Sequence, residues 1–461
     1  MNKKQAILFI LLLLIFNSPG KTQVHFSIIL NNYSDSSVLL TSYYGNKIKL
    51  VDTATMHAGV FNFSKTNYPG GMYMLASPSK NKLIEFIINN ESGFTLQTDT
   101  TSPGQVAVNG SIENKLFFKH LQLRNDTYRQ AMKIIDMQAN EDTQPYQIEE
   151  AEAKLDSLKK VLEQEEKGII STYPDLFITE ILKANKEIKI PLSIADDSLQ
   201  SYLYYKEHFW DNLQLSDERL LRTPIIDQKL QTYFDRVIFL DPDSTIAAID
   251  KVVSLARPSD EVVSYLLWYF IAKYQNPQYM GFDAVFVHLV DQYFLKEEVR
   301  NTTPSILEKL KERSDNLKPL LIGASAPDLL LMDTNDRFVS FRNLDADYIL
   351  LLFWDFNCDV CENEIAELQK LLDTINYKIS IYAVNTNSDL ARWEKEIRAR
   401  NMNWINVNGT HSITSDFHEL YDISGTPRMF LLDHEKKIIA KHFKVAQLIL
   451  IIENQLLKHK H

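Results

Sequence analysis

The only two cysteines of this 461-residue chain, Cys358 and Cys361, are separated by two residues. An apolar run, Tyr348–Trp354, precedes them, and a helical pattern follows over residues 361–372. Two thiols between the end of a strand and the start of a helix can form and break a disulfide with one another. Because the chain has no other cysteine, any disulfide within one chain must join this pair.

The start of a helix should make Cys358 the reactive thiol, because unpaired backbone N–H groups and the helix dipole favour an anion there. Cys361, one turn inside the helix, should be buried. Cys358 is therefore predicted to attack the substrate and Cys361 to resolve the mixed disulfide. Asp359 has two interpretations. Its charge either disfavours the thiolate, which makes the pair a better reductant, or only complements the helix dipole.

Length and composition indicate an ordinary soluble protein of two or three domains. The chain is 45% hydrophobic and 24% charged, which is typical of globular proteins. Its net charge of -11 is spread along the sequence and argues against a nucleic-acid partner. A core of this size needs no disulfide staple, and a disulfide that spans two residues would add little stability. The cysteine pair is therefore predicted to be functional.

The first twenty residues have the pattern of a signal peptide. Lys3 and Lys4 precede an apolar stretch over residues 6–16, and the small residues Ser18 and Gly20 suit cleavage after Gly20. The predicted location is the periplasm of a Gram-negative bacterium. The alternative is an uncleaved N-terminal membrane anchor, although the apolar stretch is short for a membrane span.

Three segments follow, and together they predict a multidomain α+β protein. Residues 24–110 carry short strand patterns with turn signals and predict a small β-sandwich. Residues 111–320 carry helical spacing interrupted by prolines and predict a helical domain of unknown function. Its dense aromatic residues form either a helical core, the favoured interpretation, or a peptide-binding groove, and His288 is expected to be a hydrogen-bonded core residue. Residues 321–461 predict a thioredoxin-like α/β domain.

The order of predicted elements in this last segment is that of a thioredoxin fold. A hairpin over residues 330–341 is followed by strands at Tyr348–Trp354 and Ile379–Asn385, each followed by a helix, the second of them capped by Ser388. A short helix over residues 417–421, strands over 429–432 and 437–440, and a helix over 446–457 complete it.

Thr426 and Pro427 form a second motif, between the short helix and the next strand. In thioredoxin-like folds a cis-proline at this place faces the dithiol. Since proline has no N–H, the backbone of Thr426 would pair with an extended substrate near the sulfurs. The alternative is an ordinary turn before a strand.

Residues 321–457 resemble the TlpA/ResA-like exported thiol-disulfide oxidoreductases of the thioredoxin superfamily. The resemblance rests on the motifs Gly323…Ala326-Pro327-Asp328, Phe353-Trp354, Cys358-x-x-Cys361, Glu364 with Leu368, and Gly425-Thr426-Pro427. It implies proton transfer by Glu364, since Leu352 stands where ordinary thioredoxins carry a buried acid. Trp354, Thr426 and Pro427 are predicted to bind substrate.

The chain departs from the family pattern at three positions around the cysteines. Asn357 replaces the usual tryptophan, Val360 the usual proline between the cysteines, and Ile365 a proline that often follows the acid. These changes leave the dithiol intact and alter residues next to it that affect its potential and its substrate preference.

Two further resemblances concern the accessory segments, and neither implies an activity. The first segment resembles an accessory domain that precedes such oxidoreductases in exported Bacteroidota proteins, and the middle segment resembles an uncharacterised helical domain of the same proteins. The motifs that carry the two resemblances are Gly59-x-Phe61-x-Phe63 and Pro69-Gly70-x-x-Tyr73 in the first, and Leu220-Leu221-Arg222-Thr223-Pro224 in the second.

Other cysteine chemistries fit the sequence poorly. A c-type haem site needs histidine after the second cysteine, where Glu362 stands, and a peroxiredoxin needs proline and threonine where Leu351 and Asp355 stand. A zinc site would have to recruit distant histidines whose spacing matches no common finger, namely His411, His418 or His434.

The resulting hypothesis is an exported thiol-disulfide oxidoreductase that reduces disulfides in envelope proteins. No soluble cofactor is implied, but a reductant in the periplasm needs electrons from a membrane donor that the sequence does not identify. The alternative is a non-catalytic envelope binding protein with a vestigial thioredoxin-like domain. The oligomeric state is left open.

Overall fold

The computed structural model describes residues 24–458 except 66, 90, 92, 141, 142 and 297. The predicted signal peptide, residues 1–20, lies outside the described residues. The chain divides into two compact units: the first holds the described residues up to Ile238 together with Leu255–Val262, and the second holds Phe239–Ser254 and everything from Val263 onward. Among the described residues, no helix has both the length and the apolar character needed to cross a membrane.

The first unit begins with one eight-stranded sheet in the order β6-β5-β2-β3-β4-β1-β7-β8. All neighbouring strands are antiparallel except β1 and β7, which are parallel. The strands are β1 (Val24–Asn31), β2 (Ser37–Tyr44), β3 (Lys47–His57), β4 (Val60–Lys65), β5 (Gly71–Ala76), β6 (Lys82–Ile88), β7 (Gly93–Asp99) and β8 (Ser102–Asn109).

This sheet folds over on itself. The ring of Phe26 on β1 lies 4.8 Å from that of Phe63 on β4 and 5.1 Å from that of Phe94 on β7. It also lies 5.7 Å from Phe86 on β6, at the far edge of the strand order. Two layers of one sheet therefore enclose an aromatic core, which is the sandwich arrangement predicted.

Helices complete the first unit and fill the region predicted to be helical. Five aromatic residues of this region are buried: Phe209, Trp210, Tyr233 and Phe234 in the first unit, and Phe270 in the second. For these five the prediction of a helical core is confirmed. The helices of the first unit are α1 (Ile112–Ala139), α2 (Pro145–Thr172), α3 (Phe177–Ala184), α4 (Ser198–His208) and α5 (Ile225–Thr232).

The second unit contains further helices and the C-terminal domain. His288 there has the partner expected of it, since its Nε2 lies 2.8 Å from Asp250 Oδ1. The helices before the domain are α6 (Pro242–Ala256) and α7 (Asp260–Tyr274), which carry most of their residues in this unit, α8 (Asp283–Leu289) and α9 (Pro304–Leu317).

The C-terminal domain is a seven-stranded sheet in the order β10-β9-β13-β12-β11-β14-β15 with helices on both faces. Its three central strands β11, β12 and β13 are parallel, and the flanking pairs are antiparallel. The elements are β9 (Leu330–Asp333), β10 (Phe338–Ser340), β11 (Tyr348–Trp354), α10 (Asp359–Leu372), β12 (Ile379–Asn385), α11 (Leu390–Ala399), β13 (Ile405–Ser412), α12 (Phe417–Leu420), β14 (Arg428–Asp433), β15 (Ile438–Lys441) and α13 (Leu448–Lys458).

Strand β11 lies at the centre of this domain, and all seven of its residues are buried. Because successive side chains point to opposite faces of a sheet, Leu350, Leu352 and Trp354 pack in one core and Leu351 and Phe353 in the other. The first of these cores also contains Cys361. One face of strand β11 therefore packs against the buried side of the helix that carries the cysteines.

The predicted fold class is confirmed, with two local differences. Strand β13 was not predicted, although it lies between β9 and β12 in the sheet. Helix α11 is capped by Asp389, which accepts the N–H of Arg392, and not by Ser388. The predicted domain boundaries at residues 110 and 320 stay predictions.

Candidate active site

Cys358 is the N-cap residue of α10. Its backbone is extended, and its Sγ accepts the backbone N–H of Cys361 at 3.1 Å. Its own N–H donates to the backbone oxygen of Asp355 at 3.2 Å, which closes a tight turn at the end of β11. A sulfur at this position meets the unpaired amides and the positive end of the helix dipole, both of which favour a thiolate.

The two cysteines differ in exposure, as predicted from their positions. Cys358 is half-buried, whereas Cys361 is 1% exposed and packs in the core formed with β11. The two sulfur atoms are paired as a disulfide. A reagent or protein partner can therefore reach the pair only from the side of Cys358.

Thr426 and Pro427 lie beside Cys358, although 68 residues separate Thr426 from it in sequence. The bond between them is a cis peptide, and the carbonyl oxygen of Thr426 is 3.4 Å from Cys358 Sγ. The pairing of β14 with β11 brings this loop to the cysteines, because Arg428 lies opposite Phe353. A carbonyl oxygen so close to sulfur accepts a hydrogen bond from a thiol and repels a thiolate.

Glu364 follows Cys361 by about one turn, so both lie on the buried face of α10. It is 8% exposed, and its Oε2 accepts the backbone N–H of Val445 at 2.8 Å. The carboxylate thus joins α10 to the segment that precedes α13. This contact is structural, and the proton-transfer role stays a prediction.

Trp354 does not have the role predicted for it. Its side chain is 0% exposed and packs in the core behind the cysteine helix, so it cannot contact a substrate in this structure. Its indole Nε1 has no hydrogen-bond partner among the described residues. The sequence signal favoured burial: Trp354 ends a central strand buried on both faces, and such a strand is a continuous apolar run.

A polar network around Asp355 was missed by the sequence analysis. Asp355 Oδ1 accepts the N–H of Asn357 at 2.7 Å, and its Oδ2 lies 3.3 Å from Asn387 Nδ2. Asn385 and Asn408 donate to the backbone oxygen of Asn387. The available signal was the recurrence of polar residues at the carboxyl ends of neighbouring parallel strands, where sites of open α/β sheets lie.

The surface around Cys358 combines apolar and charged groups. Val360, between the cysteines, is 56% exposed, and Asn357 and Asp359 are exposed as well. The guanidinium of Arg392, on α11, lies 4.5 Å from the centre of the Phe356 ring, a cation–π distance. In the part of the chain that the structure describes, no group of three or more histidine, cysteine or carboxylate residues could hold a metal ion.

These features define a thioredoxin-like domain with a cysteine pair at the start of its first long helix. Residues 322–441 match the AhpC/TSA family. Residues 144–314 match a domain of unknown function, DUF5106. The expected resemblance to thiol-disulfide oxidoreductases is confirmed for the C-terminal domain.

Known proteins similar to the chain have names of the same kind. The thiol-disulfide oxidoreductase ResA of Bacillus subtilis (strain 168) is 25% identical over 118 residues, which are 25% of this chain and 64% of that protein. The chain therefore spans less than two thirds of this curated relative.

Two solved structures are also similar. A thioredoxin-like protein from Bacteroides caccae is 20% identical, with 59% of this chain and 98% of that chain covered and a TM-score of 0.45. A domain of a possible thiol-disulfide isomerase from Cytophaga hutchinsonii is 32% identical, with 31% and 99% covered and a TM-score of 0.28.

Proposed function

We propose that this protein is an exported thiol-disulfide oxidoreductase that reduces disulfides in envelope proteins through Cys358 and Cys361. The observation that carries the proposal is the contrast within the pair. A half-buried sulfur caps the start of α10, and its disulfide partner is buried one turn further on. A structural disulfide would need neither an accessible sulfur nor a position at a helix N-terminus.

The reaction follows from this arrangement. The thiolate of Cys358 attacks one sulfur of the substrate disulfide, and a mixed disulfide forms while the other substrate sulfur leaves as a thiolate. Cys361 then loses its proton, with Glu364 as the acceptor, and attacks Cys358 Sγ. The Cys358–Cys361 disulfide forms, and the second substrate sulfur leaves. Two electrons have passed to the substrate, so a membrane dithiol donor must reduce the pair again.

Binding of an extended substrate would use the loop beside the sulfurs. The carbonyl oxygen of Thr426 lies 3.4 Å from Cys358 Sγ, so a substrate strand paired with the backbone of Thr426 would bring its disulfide to the nucleophile. Pro427 has no N–H of its own to offer. In this proposal it shapes the loop, and Thr426 makes the backbone contacts.

Reduction potential tests the proposal most directly. The chain would be purified from its own cells, where its N-terminal mass also tests cleavage after Gly20, and equilibrated against glutathione and dithiothreitol buffers. A potential of about -250 mV or lower supports a reductase, whereas a value of about -120 mV would mean that the protein oxidises dithiols. If the pair cannot be cycled at all, the redox proposal fails and the binding-protein alternative takes its place.

Two serine variants serve as controls for this measurement. Cys358→Ser should abolish exchange with a model disulfide. Cys361→Ser keeps the nucleophile but removes the resolving thiol, so it should accumulate mixed disulfides. A pure binding protein would show neither effect.

A further inference from the structure

The turn that leads into Cys358 is held by the side chain of Asp355. The backbone oxygen of Asp355 accepts the N–H of Cys358 at 3.2 Å, and its Oδ1 accepts the N–H of Asn357 at 2.7 Å. An aspartate that accepts the N–H two residues ahead stabilises a turn without help from the rest of the chain. The position of Cys358 Sγ over the amide of Cys361 therefore depends on Asp355.

Asn387 braces Asp355 from the loop that follows β12. Its Nδ2 lies 3.3 Å from Asp355 Oδ2. Its backbone oxygen accepts from the amides of Asn385 at 2.6 Å and Asn408 at 3.1 Å, and both of these side chains are fully buried. Asn387 is thus fixed by side chains of β12 and β13, two parallel strands of the central sheet, which form a rigid support for its contact with Asp355.

The carboxylate of Asp355 lies three residues before Cys358 in the turn that leads into α10. Its side chain accepts from the backbone N–H of Asn357 and the amide of Asn387, which are neutral donors. These two uncharged groups are the partners found for the Asp355 side chain among the described residues. A negative charge this near disfavours a second one on Cys358, whereas the amides of α10 favour it.

We infer that Asp355 and Asn387 are positioning residues of the cysteine pair. The braced turn aims Cys358 Sγ at the first amides of α10, while the charge of Asp355 disfavours the thiolate that those amides favour. The two effects oppose one another, so the reactivity of Cys358 is set by their balance. The redox consequence rests on the proposed function: a less favoured thiolate makes the dithiol a stronger reductant.

Substitutions at the two positions separate the two effects. Asp355→Asn keeps an oxygen for the N–H of Asn357 but removes the charge, so it should make Cys358 reactive at lower pH. Asn387→Ala keeps the charge but removes the brace, so it should move the reactivity of Cys358 to higher pH. Each shift is expected to be roughly one pH unit or less, as for a neighbouring charge that solvent screens in part.

The measurement is the rate at which iodoacetamide alkylates Cys358 in the reduced full-length protein, read by mass spectrometry of the Cys358 peptide across a pH series. The pH of half-maximal rate reports the thiolate. Asp345→Asn is the matched control, because it removes an equal charge from an exposed residue at the other end of β11, roughly 20 Å away along a strand of this length. It should leave the midpoint unchanged.

Shifts of opposite sign in the two variants support the inference. The inference is overturned if the pH of half-maximal alkylation is the same in Asp355→Asn as in Asp345→Asn. It is also overturned if Asn387→Ala does not raise that pH. Thermal unfolding checks the fold of each variant, and Asn387→Ser replaces Asn387→Ala if that variant does not fold. Alkylation needs no turnover, so the result is independent of whether the wild-type pair cycles with a substrate.

Discussion

Among the helices whose first turn donates N–H groups to a side chain, α10 in the second unit and α3 in the first differ most in what the acceptor can do. At α10 the acceptor is Cys358 Sγ, which is half-buried and receives one N–H at 3.1 Å. At α3 the acceptor is the carboxylate of Glu113, which is 1% exposed. Its oxygens receive the N–H groups of Phe177 and Ile178 at 2.8 and 3.0 Å and the amide of Asn89 at 2.7 Å.

The difference between the two helix starts separates a reactive group from a structural one. The same unpaired amides attract a negative charge in both places. Glu113 already accepts three hydrogen bonds and is closed to solvent, so its role is to hold the helix. Cys358 keeps an open side and one donor, so its sulfur can exchange bonds. Cys358 is reactive because its sulfur is partly exposed and accepts only one N–H among the described residues, and not simply because it lies at a helix end.

The largest expected effect tests the structural half of this comparison. Glu113→Ala should lower the free energy of unfolding by about 3 kcal/mol or more, because it leaves three buried donors without an acceptor. Urea unfolding measures the loss. Alkylation of Cys358 under native conditions should be unchanged, because the substitution is in the other unit and only stability is affected.

Two variants control that prediction. Glu152→Ala removes an exposed glutamate from α2 and should change stability by no more than about 0.5 kcal/mol. Cys358→Ser should show the opposite result to Glu113→Ala: disulfide exchange should be lost, and the free energy of unfolding should be nearly unchanged. If Glu113→Ala instead abolished Cys358 reactivity in a folded protein, the separation into structural and reactive helix starts would be wrong.

Glu364 lies between the two cases, and its substitution should have the next largest effect. It is nearly as buried as Glu113, but among the described residues its carboxylate accepts one backbone N–H, that of Val445. Glu364→Gln keeps an oxygen for that N–H and removes the proton acceptor. The rate of disulfide exchange should fall by roughly 10²-fold, the lower end of general acid–base effects, which corresponds to about 2.7 kcal/mol.

Stopped-flow measurement of mixed-disulfide resolution reads this rate, and urea unfolding shows whether the hydrogen bond to Val445 survives. Glu367→Gln, one turn further and exposed on the same helix, is the matched control and should leave the rate unchanged. An unaltered rate in Glu364→Gln would assign Glu364 to the structural class of Glu113.

Much of the C-terminal fold could be predicted because its signals are local. Strand β11 was predicted with its observed bounds, since a run of seven apolar residues between turn signals is typical of a buried strand. Strand β13 was missed because its residues, from Ile405 to Ser412, include polar side chains that only the folded sheet buries, such as Asn406 and Asn408.

The candidate site divides in the same way. The positions of Cys358 and Cys361 follow from a strand and a helix adjacent in sequence, and these could be predicted. The network of Asp355 with Asn387 and Asn408 joins residues up to 53 positions apart, numbers 355 to 408. Only the parallel pairing of β11, β12 and β13 brings them together. Because β13 was not predicted, the recurrence of polar residues at strand ends was visible only on β11 and β12.

The smallest expected effect concerns His120 on α1, a buried group that is less well satisfied than Glu113. Its Nδ1 and Nε2 each lie 3.9 Å from a carboxylate oxygen, of Glu165 and Glu166 respectively. Burial lowers the pKa of His120 below its usual 6.5, Glu165 opposes this and Arg124 adds to it. Below about pH 6.5 the unfolded chain therefore binds more protons at this residue than the folded chain, so the folded state loses stability as the pH falls.

His120→Gln should remove this contribution, and the variant should lose less stability than the wild type between about pH 7.5 and about pH 5.5. Urea midpoints at the two pH values measure the difference, with exposed His25→Gln as the matched control, which should follow the wild type. The sign decides the assignment. If the wild type were instead stabilised relative to His120→Gln at the lower pH, attraction to Glu165 would outweigh burial. His120 would then be a buried cation paired with the carboxylates of Glu165 and Glu166. It would count as a satisfied buried group, as Glu113 does, through charge pairing and not through close hydrogen bonds.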